Sequence, residues 1–171
     1  MNHVFWHRLD RAVRHAAPFV VTVLLVLLNA IPLPAPDYRS IVPLVPLMAI
    51  YYWALYRPDL MPIGAVFLVG LLEDVLTGAP LGLNAFIFLL VHSLIRSRRR
   101  MIAGKGFAVA WIVFMLVILG AGFVSWLVAS LLYDAPVRME PAATQLMLTL
   151  VLYPCLAWLL LRVQRAFLAN A

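Results

Sequence analysis

An all-α membrane protein, a bundle of six transmembrane helices with both termini on the cytoplasmic side, is the architecture that three observations predict. The 171 residues are 65% hydrophobic, with a mean hydropathy of +1.01, and only 12% are charged, where a soluble domain carries about a quarter. The apolar residues gather into six runs, at about 18–33, 40–56, 60–77, 81–95, 106–132 and 143–161. When these runs are threaded back and forth, 11 of the 13 Lys and Arg fall on one side, and only Arg39 and Arg138 on the other. Cations are retained on the cytoplasmic side of a membrane. An even number of crossings therefore follows, and residues 1–171 form a single integral membrane domain with no soluble part.

The runs differ in what they carry. Residues 1–17 form a basic arm with Arg8, Arg11 and Arg14 at helical spacing, the pattern of an amphipathic segment lying in the interface. Arm and first run together resemble a signal peptide, but no small-x-small cleavage site precedes Pro36, so a retained anchor is expected. A perpendicular crossing takes ~20 residues, with ~17 as the lower limit, so the first and fourth runs are short. The fifth is long enough to tilt. Tyr51, Tyr52, Trp53 and Tyr56 at the end of the second run read as an interfacial aromatic belt, and His92 near the Arg96–Arg100 cluster as interfacial too. In the fifth run Ala121, Ser125 and Ala129 recur every four residues beside Gly122, a small-residue seam for a neighbouring helix, within the chain or from a partner. In the sixth, Gln145, Thr149 and Tyr153 form a polar line before Pro154. That proline removes a backbone donor and leaves the Leu150 carbonyl without its helical partner, so a kink is expected there.

Several function classes are excluded by residue type and position. The net charge of +6 lies in small clusters between apolar runs rather than on one basic face, which argues against nucleic acid. One cysteine, Cys155, allows no internal disulfide and no cysteine metal site. No HExxH or CxxC spacing appears, and no serine, cysteine or histidine stands near a recognisable base. A protein that is not an enzyme, with neither metal nor cofactor, is expected.

The stretch from Gly70 to Asn84 is the most informative. It places Glu73 and Asp74 at the end of an apolar run, before the joint Thr77-Gly78-Ala79-Pro80-Leu81-Gly82. A charged side chain at the centre of a bilayer costs at least ~2.5–3.5 kcal/mol, so it must be paired, hydrated or near an interface. Ile63, Phe67, Gly70, Asp74 and Thr77 share a face by spacing, with Gly70 and Gly78 flattening it for a neighbouring helix. Asp74 then points toward protein, either as an ion, proton or ligand site or as a helix-linking acceptor that caps the start of the fourth run. Glu73, about a hundred degrees around the helix and beside Val66 and Val69, is expected at the outer interface. Gly78 is expected to stop the third helix, and Pro80 to sit in the first turn of the fourth. Runs three and four form a full hairpin, or a re-entrant pair where protein or water surrounds it.

These residues, from Gly70 through the Pro80-Leu81-Gly82 turn to Asn84 and Ala85, resemble the central motif of the bacterial rod shape-determining family MreD. Chain length, number of runs and the basic joint after the fourth run fit the same family. The resemblance implies a non-enzymatic inner-membrane scaffold of the cell-elongation complex that makes peptidoglycan. Its implied partners are the single-span MreC, the actin-like MreB and a peptidoglycan polymerase pair. The family is also similar to the six-helix substrate-binding subunits of vitamin transporters, which implies a related fold and an alternative function in small-molecule transport. On the resemblance and the spacing together, the candidate residues are Gly70, Glu73, Asp74, Gly78, Pro80, Gly82 and Asn84, with Ala121, Ser125 and Ala129 in the fifth run.

Overall fold

In the computed structural model, residues 17–31, 42–132 and 139–168 are described. The basic arm with its histidines, the joint around Arg39, and the Tyr133–Arg138 joint lie outside the described residues. Six helices occupy the six apolar runs, with no strand among the described residues: α1 (Ala17–Asn29), α2 (Val45–Tyr56), α3 (Ile63–Thr77), α4 (Leu83–Ala103), α5 (Phe107–Leu132) and α6 (Met139–Leu168). A 3₁₀ turn at Pro58–Leu60 joins α2 to α3. Two helices, α5 and α6, are long and apolar enough to cross a membrane by length and composition. The last turns of α4 and α6 run past their apolar stretches into arginine-rich sequence. Arginine is a good helix former, and nothing breaks α4 before Gly104.

The centre of the bundle is α2. Residues 46–55 of this 12-residue helix are all buried, including Tyr51, Tyr52 and Trp53. A helix apolar all round belongs in a core or in lipid, and twelve residues reach only ~18 Å, well short of the ~30 Å hydrocarbon layer. It packs chiefly against α4 and α6. The expected aromatic belt is therefore a buried aromatic cluster. Tyr51 meets Phe114 at 5.1 Å and Tyr153 at 5.7 Å, while Phe114 stacks on Tyr153 at 4.2 Å. The Tyr51 hydroxyl donates to the Ala110 carbonyl at 2.7 Å, and that of Tyr52 to Gln164 Oε1 at 3.0 Å. Only Tyr56 is exposed. His92, expected at an interface, is fully buried.

The cations among the described residues sort to one end. Contacts run in opposite order along α3 and α4, from Gly70 against Ala85 to Asp74 against Gly82, so the two helices form an antiparallel hairpin. Along α2 and α6 they run in the same order, Leu44 with Thr149 and Tyr52 with Gln164. Arg57, the Arg96–Arg100 cluster, Lys105, Arg162 and Arg165 thus share one end of the bundle. The α3–α4 turn lies at the other. Arg162 also rests on the Trp158 ring, 4.5 Å from its centroid.

The proline in α6 leaves the helix continuous, and the carbonyl it frees is satisfied from outside. The Trp111 indole N–H donates to Leu150 O at 3.2 Å. Neighbouring helices re-satisfy proline-freed groups in this way in membranes. The polar line on α6 serves α2. Gln145 Nε2 donates to Val42 O at 2.7 Å, and Leu44 N–H donates to Thr149 Oγ1 at 3.1 Å. Leu44 is the N-cap of α2 and offers no side-chain cap, so α6 supplies the polar partners that the start of α2 lacks.

Candidate functional site

The site is built on the α3–α4 turn. α3 ends at Gly78, whose φ of +70° is the left-handed stop that only glycine takes without strain. Its N–H, and that of Ala79 at 3.2 Å, donate to the backbone carbonyl of Asp74. α4 begins from a second glycine, Gly82, with φ +97°. A glycine N-cap has no side-chain oxygen for the exposed N–H groups of the first turn. Asp74 provides it from the preceding helix. Gly82 N–H donates to Asp74 Oδ2 at 2.8 Å and Asn84 N–H to Oδ1 at 2.9 Å. Fully buried, the carboxylate faces the positive end of α4, where an anion is favoured. One residue thereby closes the end of α3 and the start of α4.

Gly70 makes the hairpin tight. A Cβ there would stand 2.3 Å from the Cα of Ala85, so the two backbones are in contact. At Gly78, by contrast, a Cβ would meet nothing, so that glycine serves the turn and not the helix approach. Pro80 precedes α4, which starts at Leu83; its carbonyl accepts from Leu83 N–H at 3.1 Å, so it belongs to the turn and not to the first turn of the helix.

The inward face of α3 is Val66, Val69, Gly70, Glu73 and Asp74. Ile63, Phe67 and Thr77, expected to share the face of Asp74, are exposed. Glu73, expected outside, is only 7% exposed. The helix is turned by about one residue from the face that spacing suggested. Lipid-facing and core-facing positions are equally apolar in a membrane, so periodicity identifies the helix and not its inner side.

Glu73 lines a cavity of about 430 Å³ at the end of the bundle opposite the cations. Among the described residues, the end of α1, residues 42–44, Leu76 and Thr77 of α3, Ala79 of the turn, Leu83 and Asn84 of α4, Ser125 and Ala129 of α5, and Gln145 of α6 also line it. The proposed seam on α5 is therefore divided. Ser125 and Ala129 border open space, Ala121 faces an apolar groove of about 380 Å³ between α4 and α5, and Gly122 makes the close contact, with Leu146 of α6 at 3.2 Å from an added Cβ. Sequence reasoning missed Trp111 and Ala85. Pro154 announced a free carbonyl but not its donor, and Gly70 announced a close approach but not its partner.

The family model for the rod shape-determining protein MreD matches residues 11–163. No curated protein and no solved structure matches the chain. The match spans both the hairpin with its Asp74 cap and the helices around the cavity, and the chain belongs to the MreD family, whose role is in rod shape determination.

Proposed function

We propose that the chain is a non-enzymatic scaffold of the bacterial inner membrane. It works in the cell-elongation complex that builds peptidoglycan and binds a single-span partner such as MreC. MreB and a peptidoglycan polymerase pair belong to the same assembly. In this reading the chain crosses six times, and the cation-rich end with both termini is cytoplasmic. The observation that carries it is the commitment of Asp74 to intrachain bonds: both carboxylate oxygens and the backbone carbonyl hold the hairpin together. The most prominent buried acid thus serves the frame. On the outside, α5 offers the longest apolar window, of which only 28% is buried within the chain, an extended surface for a partner's helix.

A photocrosslinker placed at Phe123, which is 61% exposed on α5, tests the proposal in cells. Capture of a single-span membrane protein of the elongation complex is the expected result. The cavity beside Glu73 favours a second reading, a substrate-binding subunit of a small-molecule transporter. Purification with a bound vitamin-like molecule and no polypeptide partner would establish that reading instead.

A further inference from the structure

Glu73 differs from Asp74 beside it, which has backbone donors on both carboxylate oxygens. The Glu73 carboxylate has no hydrogen bond or ion pair among the described residues, although the residue is more than nine-tenths buried. A buried charge left without a partner is strongly destabilising. Asp74 one residue on has two strong donors and is not available to share a ligand. No group of three or more acidic, cysteine or histidine side chains that could hold a metal exists among the described residues.

The polar groups that share the cavity with Glu73 offer acceptor oxygens beside donors. The Thr77 hydroxyl spends its proton on the Glu73 carbonyl at 2.7 Å. The Gln145 amide donates one N–H from Nε2 to the Val42 carbonyl, an acceptor-only partner, which orients the amide and leaves Oε1 and the second N–H. Ser125 and Asn84 stand on the same wall. A volume of about 430 Å³ lies within the ~300–1,000 Å³ of small-molecule sites and far exceeds the need of one water. No aromatic ring lines it among the described residues, where the cage that recognises quaternary ammonium groups would need several. What such a wall recognises is a cation that brings several N–H donors, attached to a small apolar body.

We propose that this cavity is a binding site for a primary ammonium group, carried by a small amine or by the headgroup of an aminophospholipid, with Glu73 as its counter-charge and Gln145 and Thr77 as further acceptors. The site goes beyond the scaffold reading and does not depend on it, because binding is read on the chain alone.

The test uses the full chain in an uncharged maltoside detergent and n-butylammonium as the probe, followed by titration calorimetry. Saturable binding is expected, with tetramethylammonium and 1-butanol weaker by at least about tenfold. Glu73→Gln should lose binding by a similar factor while its thermal midpoint stays level or rises, since an unpaired buried charge is removed. Ser125→Leu, which keeps the charge and fills the space, should lose binding as well, so a misfolded Glu73→Gln protein leaves the question decidable. In nanodiscs, retention of phosphatidylethanolamine over phosphatidylcholine, displaced by n-butylammonium, assigns the site to a lipid headgroup; binding of the free amine without that preference assigns it to a soluble amine. Absence of binding overturns the proposal, and so does equal binding to Glu73→Gln. Binding seen only after Arg39→Gln overturns it too, because the chain then supplies its own cation. Carbodiimide coupling of Glu73 to a lysine of a co-purified protein, unaffected by n-butylammonium, gives the cavity to a protein side chain and overturns it equally.

Discussion

Asp74 and Gly70 hold the same hairpin by opposite means, one through charge and one through the lack of a side chain. Truncating Asp74 to alanine leaves the Gly82 and Asn84 N–H groups without acceptors in a part-buried turn. Hydrogen bonds to a charged group are worth about 1.5–3 kcal/mol each, so Asp74→Ala should lower stability by about 3 kcal/mol. Asp74→Asn keeps one acceptor oxygen and should lose roughly half as much. Denaturation in mixed maltoside and dodecyl sulfate micelles measures both. Gly70→Ala should cost about 1–3 kcal/mol or more by overpacking. The atoms in the way are the Cα and N of Ala85, at 2.3 and 2.7 Å. Shaving Ala85 to glycine therefore should not rescue it, and a full rescue in the double variant would show that the helices touch through side chains instead. Asp74 was legible in the sequence because a carboxylate in an apolar run must find partners. Glu73 was misplaced because neither neighbour on its helix says which flank faces lipid.

The six helices were legible as elements because each is an apolar run bounded by polar or proline-rich joints. Their environments were not. The second run has the aromatic residues of an interfacial belt, yet α2 is enclosed by α4 and α6, and its rings build the core around Phe114 and Tyr153. Aromatic residues suit an interface and a core equally well, so residue type alone cannot separate the two. For α6 the proline argument located the free Leu150 carbonyl but not its donor. Trp111→Phe removes that donor and should destabilise the bundle by about 1 kcal/mol. Pro154→Ala restores a helical N–H to the same carbonyl. In the Pro154→Ala background Trp111→Phe should be close to neutral, and a double-mutant cycle measures the coupling. Additive effects would mean that Trp111 is held by packing and not by its hydrogen bond.

Among the described residues charge and polarity are segregated: cations at one end, the Asp74 turn and the Glu73 cavity at the other. In the proposed orientation the cation-rich end is cytoplasmic, as the cation-retention rule requires. With Cys155, the single cysteine, replaced by serine, new cysteines at Leu81 and Lys105 should label from opposite sides of intact cells. Leu81 should react with an impermeant maleimide from outside, and Lys105 only after permeabilisation. Labelling of both from one side would leave the hairpin re-entrant. The burial of α2 also bears on how the chain is made. The partners that hold its start, Gln145 and Thr149, come from residues more than 100 positions later. Until α6 is made, the second helix is too short for the bilayer, and of its two main neighbours it has only α4 to dock on. Its final seating must wait for the last helix, so premature termination before α6 should strand a nearly complete polypeptide in a form open to proteolysis.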